Sequence, residues 1–287
     1  KTLTGNITLY ARWDEIATDY FGIDLSLVAV SDYEGVSKSL SDTIIYGDSI
    51  VIRLNFTEKT ALNGYSYSVN YFFNGTSLVD GYLTGNYQDF NLNFPDLKSG
   101  NQTFRIKVIV AIAKNLSVTK EATIGVSIAK KHVGFSFEDL NKVYDGTVQK
   151  PTVVMTEDFY SEDKLGKTQD ELFVLKCDQI AKNVGSYNYY ISELLNNNYE
   201  FDENSAKCTF EIEKRGILLS WKNYNHTYDG RNHFPEYEVL GIVDGDNVSF
   251  AFTIDECINA GSYTINIKPE TISNSNYQVG AVEDFTF

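Results

Sequence analysis

Phrases that return at near-constant distances constrain this 287-residue chain more than any single residue does. VYDGT at Val143–Thr147 returns 84 residues later as TYDGR at Thr227–Arg231. NVGSY at Asn183–Tyr187 returns after 76 residues as NAGSY at Asn259–Tyr263, and the NNNY ending at Tyr199 returns after 78 as the NSNY ending at Tyr277. The approach IAKK at Ile128–Lys131 is echoed, again after 84, by IEKR at Ile212–Arg215. One domain is therefore written twice, over 131–213 and 214–287. The first copy is longer by 8 residues between YDG and NxGSY, and the polar stretch Tyr160–Glu171 is where the extra residues fit.

The remainder divides into a short lead, 1–13, and a segment over 14–130. That segment alternates apolar and polar residues with period two, the pattern of half-buried strands. Ile50, Ile52, Leu54 and Phe56 alternate with Ser49, Val51, Arg53 and Asn55. Tyr65, Tyr67, Val69, Tyr71 and Phe73 form a second such row, Phe90, Leu92 and Phe94 a third, and Phe104, Ile106, Val108, Val110 and Ile112 a fourth. Turn-rich pieces at Leu62–Gly64, Asn74–Thr76 and Lys98–Asn101 separate the rows, at the spacing of a sandwich. The copies alternate as well, at Tyr187, Tyr189 and Ile191, at Phe250, Phe252 and Ile254, and at Tyr263, Ile265 and Ile267. Helical turns are expected only at Ile191–Leu195 and in the insertion. An aromatic content of 14% adds weight to strands. The expected fold is all-β, built of tandem small Ig-like β-sandwich domains, with a β-grasp-like sheet as the alternative for the copies.

Charge narrows the partners. A net charge of −15 opposes binding to phosphate backbones and anionic membrane surfaces, so no nucleic-acid partner is expected. The longest apolar runs, such as Val108–Ala113, are strand-sized, so no membrane insertion is expected. Three cysteines, Cys177, Cys208 and Cys257, make no disulfide framework; one bridge with a leftover thiol and three free thiols both remain open. The chain starts at Lys1 without a start Met or signal peptide, which reads as a piece of a larger precursor.

Each motif has a geometric reading. In YDG, the aspartate caps its own turn and the glycine takes positive φ, with the tyrosine packing inward. Asp145 and Asp229 therefore read as turn residues instead of working carboxylates. Tyr187 and Tyr263, just after the NxG turns, have the placing of a tyrosine corner, whose hydroxyl bonds back to upstream backbone. VDGDN at Val243–Asn247 offers Asp244, Asp246 and Asn247 as oxygen ligands but lacks the longer acid series and bidentate glutamate of a calcium loop. It reads as a hairpin turn leading into a strand at Val248–Phe250. His226, Asp229 and His233 could approach one another, yet their spacing is not that of a zinc site. Neither a nucleophile elbow nor a phosphate loop occurs. No catalytic residue, cofactor or metal ligand is nominated.

The opening Thr4–Trp13, TGNITLYARW, resembles the closing strand of the Listeria–Bacteroides (InlB B-type) repeat. The two copies resemble the MBG, or YDG-type, modules of large bacterial surface proteins. The second copy carries the whole pattern: Tyr228-Asp229-Gly230, Gly245-Asp246, Asn259-Ala260-Gly261-Ser262-Tyr263 and Asn276-Tyr277. The first copy lacks the Gly-Asp dipeptide. The resemblance covers roughly 170 of the 287 residues and leaves 14–130 without a named family. It implies a non-enzymatic, extracellular, cell-surface setting, in tandem arrays.

The expectation is accordingly a stalk or adhesin segment of a large bacterial surface protein, a monomeric rod. Two rivals stand beside it. One is a glycan- or host-protein-binding module using surface rings among Tyr65, Tyr67, Tyr71, Phe72 and Phe73 or Tyr187, Tyr189 and Tyr190. The other is an accessory region of a secreted enzyme.

Overall fold

The computed structural model describes residues 21–58, 69–73, 76–81, 86–94, 96–113, 116–280 and 285–287. The Thr4–Trp13 phrase, Tyr65, Tyr67 and the turn at 62–64 lie outside them. The chain is mostly β, arranged in several sheets. It forms two compact units, each described by itself.

The first unit comprises the described residues up to Lys131 and takes in Asn197–Glu200. Its strands are β1 (Phe21–Ser31), β2 (Ser37–Lys38), β3 (Ser49–Glu58), β4 (Val69–Phe73), β5 (Thr76–Gly81), β6 (Tyr87–Leu92), β7 (Gly100–Ala113) and β8 (Leu116–Ile128). They make two four-stranded sheets, ordered β2-β1-β3-β6 and β5-β4-β7-β8, antiparallel throughout. Alternation decides which way each strand faces. Ile50, Ile52, Leu54 and Phe56 are all buried while Ser49, Val51, Arg53 and Asn55 are only half-buried. Phe104, Ile106 and Val108 on β7 are buried in the same manner, joined by Val126 and Ile128 of β8. A one-residue slip in either strand would turn this apolar row to water, so register and burial fix each other.

The second unit comprises His132–Asn196 and Phe201–Phe287, and so holds nearly the whole of both copies. In the first copy, Gly134–Glu138 pairs antiparallel with Thr152–Glu157. The chain then kinks at Asp139, φ 54°, and resumes as Asn141–Val143. That short strand runs parallel to Lys207–Glu213, which continues antiparallel to Gly185–Leu194 and on to Phe173–Cys177. In the second copy Arg215–Lys222 lies between Glu236–Leu240, antiparallel, and Tyr277–Val279, parallel. Only Lys214 separates the last strand of one copy from the first strand of the next. A single core spans both, with Tyr144, Ala181, Tyr187, Tyr189, Phe210 and Ile212 from the first and Ile217, Ile267 and Tyr277 from the second.

Two local expectations fail. Ile191–Leu194 is the end of a ten-residue strand, not a helical turn, because its alternating Tyr187, Tyr189 and Ile191 are all buried on one face. Val248–Ile254 forms no regular strand; only Phe252 bridges Ile267. The backbone N–H groups of Ser249 and Ala251 are taken by Ser273 Oγ (2.9 Å) and Thr271 Oγ1 (2.8 Å), so side-chain hydroxyls satisfy what a ladder would have used. The insertion is helical as expected, with a short helix at Ser161–Lys164 and a 3₁₀ turn at Gln169–Glu171.

Truncating a buried position of β3 should be costly: Ile52→Ala is expected to destabilise the first unit by about 2–5 kcal/mol. Val51→Ala, on the opposite face, should cost markedly less when the two are compared by denaturant unfolding.

Candidate functional site

The two YDG corners are locally alike. Asp145 Oδ1 accepts from the Thr147 N–H (2.8 Å) and hydroxyl (2.7 Å), and Asp229 Oδ1 accepts from the Arg231 N–H (2.9 Å). Gly146 and Gly230 take φ 78° and 77°. Hydrogen bonds from the Thr147 hydroxyl and N–H hold the Asp145 carboxyl below its usual pKa, and for Asp229 the Arg231 N–H and then His233 do the same. The corners that follow also match. Tyr187 donates to the Asn183 carbonyl and Tyr263 to the Asn259 carbonyl, each at 2.7 Å, so the tyrosine corners form. Gln149 N–H reaches the Ala181 carbonyl at 2.9 Å, as His233 N–H reaches that of Cys257 at 3.0 Å.

Their surroundings differ. Tyr144 is 3% exposed and Tyr228 63%, so the inward packing expected of both tyrosines holds for one. What buries Tyr144 belongs to the second copy. Its hydroxyl donates to Asp246 Oδ2 at 3.0 Å, its ring meets Tyr277 edge-on at 5.6 Å, and its carbonyl accepts from Arg215. Tyr277 in turn donates to the same Asp246 oxygen at 2.6 Å and accepts from the Val243 N–H at 3.0 Å. Beside it Asn276 takes the Val184 N–H on Oδ1 at 2.8 Å and donates from Nδ2 to Asn183 Oδ1 at 3.2 Å. A Cβ on Gly146 would come within 2.8 Å of Val243, whereas one on Gly230 would meet nothing nearer than the Tyr228 hydroxyl at 4.0 Å.

The first unit contains the same joint. Tyr46, fully buried, sits in Ile44-Ile45-Tyr46-Gly47-Asp48 and meets Tyr199 edge-on at 5.3 Å and 78°. Ser99 N–H donates to Asn198 Oδ1 at 2.9 Å, as Val184 N–H does to Asn276. The backbone repeats too. Tyr46 N–H bonds the Ala129 carbonyl (2.8 Å) as Tyr144 N–H bonds that of Glu213 (2.9 Å), and Lys131 N–H bonds Asn198 (3.0 Å) as Arg215 N–H bonds Asn276 (2.9 Å). Each seat consists of a buried tyrosine and a backbone N–H that donates to an asparagine side chain, and each receives an Asn-Tyr pair. At the third tyrosine, Tyr228, the corresponding place is a cleft of about 350 Å³ bordered by His226, Cys257, Asn259, Ala260 and Phe287.

The other expected positions resolve simply. Asp246 caps a turn through its N–H to the Val243 carbonyl (3.0 Å), with Gly245 at φ 86°. Its carboxylate serves the two tyrosines, a role that sequence reasoning missed; the Gly-Asp dipeptide was the available signal. His226 and His233 do meet, stacked at 4.8 Å, and His233 Nε2 lies 2.7 Å from Asp229, while His132 pairs with Glu157 at 2.9 Å. Among the described residues no group of three or more His, Cys, Asp or Glu side chains is disposed to hold a metal ion. Cys177, Cys208 and Cys257 are free thiols. Cys177 and Cys208 lie opposite Tyr189 from either side, two strand spacings (about 9.5 Å) apart, too far to bridge. Burial between them pushes Tyr189 up to about 12 and raises the Cys208 thiol as well. Of the rings proposed for a binding surface, Tyr187 and Tyr189 are buried and Tyr190 half-buried.

No protein-family model matches the chain, and no curated protein matches it either.

Burial, and then the bond to Asp246, raises Tyr277 to about 12, and the same two causes raise Tyr144. Because the folded pKa of Tyr277 exceeds its ordinary value of 10.0, the joint's contribution is complete below about pH 10 and is lost as pH climbs towards 12. Tyrosinate absorbance titration should show a late-titrating group that Tyr277→Phe removes. Asp246→Ala leaves two buried hydroxyls without their acceptor and should cost about 1–3 kcal/mol in denaturant unfolding. Gly146→Ala should be more destabilising than Gly230→Ala in the same assay, since both glycines hold positive φ but only the first is crowded.

Proposed function

We propose that the chain is a non-enzymatic stalk or adhesin segment of a large bacterial cell-surface or secreted protein, in which consecutive β modules hold a binding region away from the cell. One observation carries the reading: the two copies share a single core and are separated by one residue, Lys214, so neither can swing independently of the other. Tandem modules joined without a flexible linker transmit position, which a stalk needs and a catalytic cleft does not. The likeness of the repeat phrases to MBG-type modules and of Thr4–Trp13 to the InlB B-type repeat supports the setting.

For the first unit, two antiparallel four-stranded sheets with inward apolar rows support an Ig-like sandwich. For the copies we favour the β-grasp-like alternative. The strand order around a short helix and the parallel pairing of Asn141–Val143 with the last strand, Lys207–Glu213, support it.

A second reading, glycan binding, draws on a row of rings in the second copy. Trp221 stacks on Phe285 at 4.7 Å, Phe285 lies 6.0 Å from Phe287, and Phe287 lies 5.8 Å from Tyr263, with Tyr224 edge-on to Phe285. A partly exposed aromatic row of this kind is the feature that favours this reading. Small-angle scattering on the chain is expected to give an elongated monomer; a compact particle would overturn the stalk reading. Polysaccharide binding that Trp221→Ala abolishes would favour the second reading instead.

A further inference from the structure

We infer that the cleft at Tyr228 is a third seat of the Asn-Tyr joint, built to receive the Asn-Tyr segment of another module of this repeat type. Tyr46 and Ser99 receive Asn198-Tyr199, and Tyr144 and Val184 receive Asn276-Tyr277. Tyr228 and Ala260 occupy the same positions in the second copy, since Ala260 stands in NAGSY where Val184 stands in NVGSY. The frame that aims them is already formed. The Asp229 turn, the positive-φ Gly230, the His233–Cys257 bond and the Tyr263 corner all match their first-copy counterparts.

What differs is coverage. Tyr144 is 3% exposed beneath its occupant, while Tyr228 is 63% exposed beside the cleft. A ring left that far in water at a corner so closely copied is the mark of a surface awaiting its counterpart. The chemistry of the occupant follows from the two filled seats. A side-chain amide oxygen takes the Ala260 N–H, and a tyrosine packs edge-on against Tyr228. At the Tyr144 seat the Gly245-Asp246 turn adds a shared acceptor for the paired hydroxyls, which an occupant carrying its own Gly-Asp turn would supply again. This goes beyond the stalk reading and stands on geometry alone, so it survives or fails independently of the particle's length in scattering.

The register specifies the test. Tyr263 N–H bonds the Phe287 carbonyl at 2.9 Å, and Tyr187 faces Phe210, so Phe287 corresponds to Phe210. A copy of Glu211–Phe287 joined directly after Phe287 would therefore enter in phase. Hydrogen exchange on the full chain with and without this extension is then compared at the Ala260 amide. The expected result is exchange at least tenfold slower in the extended chain, together with burial of Tyr228. Replacing the appended counterpart of Asn276 by Ala should restore fast exchange at Ala260 while the appended copy keeps its own protected amides. Tyr228→Ala, harmless to the unextended chain, should also weaken the protection. An appended copy that folds while Ala260 exchanges at its original rate overturns the proposal, and so does one that stays unfolded beside the seat.

Discussion

An asparagine followed by a tyrosine, each reaching into a seat made by other elements, is the interaction on which much of this protein depends. The amide oxygen of the asparagine satisfies a backbone N–H that no strand partner takes, and the tyrosine ring closes the pocket beside it. Tyr199 and Tyr277 are among the largest side chains wholly removed from water. Burying such a ring contributes apolar area with a polar handle, and the handle must find a partner. In the second unit that partner is Asp246, whose one oxygen serves two hydroxyls.

That economy explains why the two copies make one unit instead of two. A small β domain of about 80 residues buries a modest fraction of its surface by itself. Ile217, Ile267 and Tyr277 complete a core begun by Tyr144, Tyr187, Phe210 and Ile212, and a connection of one residue leaves no slack to undo it. Rigidity between copies thus follows from the same contacts that supply stability.

Much of the fold was legible in advance wherever a local rule sufficed. The alternation at Ile50–Phe56 named the buried face of its strand, YDG and NxGSY named their turns and corners, and helical turns were expected within Tyr160–Glu171, where they form. Reading failed where the partner of a backbone group lay far along the chain. The N–H groups at Ser249 and Ala251 are claimed by Ser273 and Thr271, which no periodicity reveals. Asp246 looked like a turn residue or calcium ligand because its true partners, Tyr144 and Tyr277, stand 102 and 31 residues away.

The sequence alone carried the repeated phrases, the alternation of the strands and the positions of the turns, because repetition, period-two alternation and Asp-Gly chemistry are local properties. Tertiary structure distinguished the two YDG tyrosines. Tyr144 and Tyr228 are written alike, but burial depends on what else arrives at the corner, and only the first has Asp246 and Tyr277 beside it.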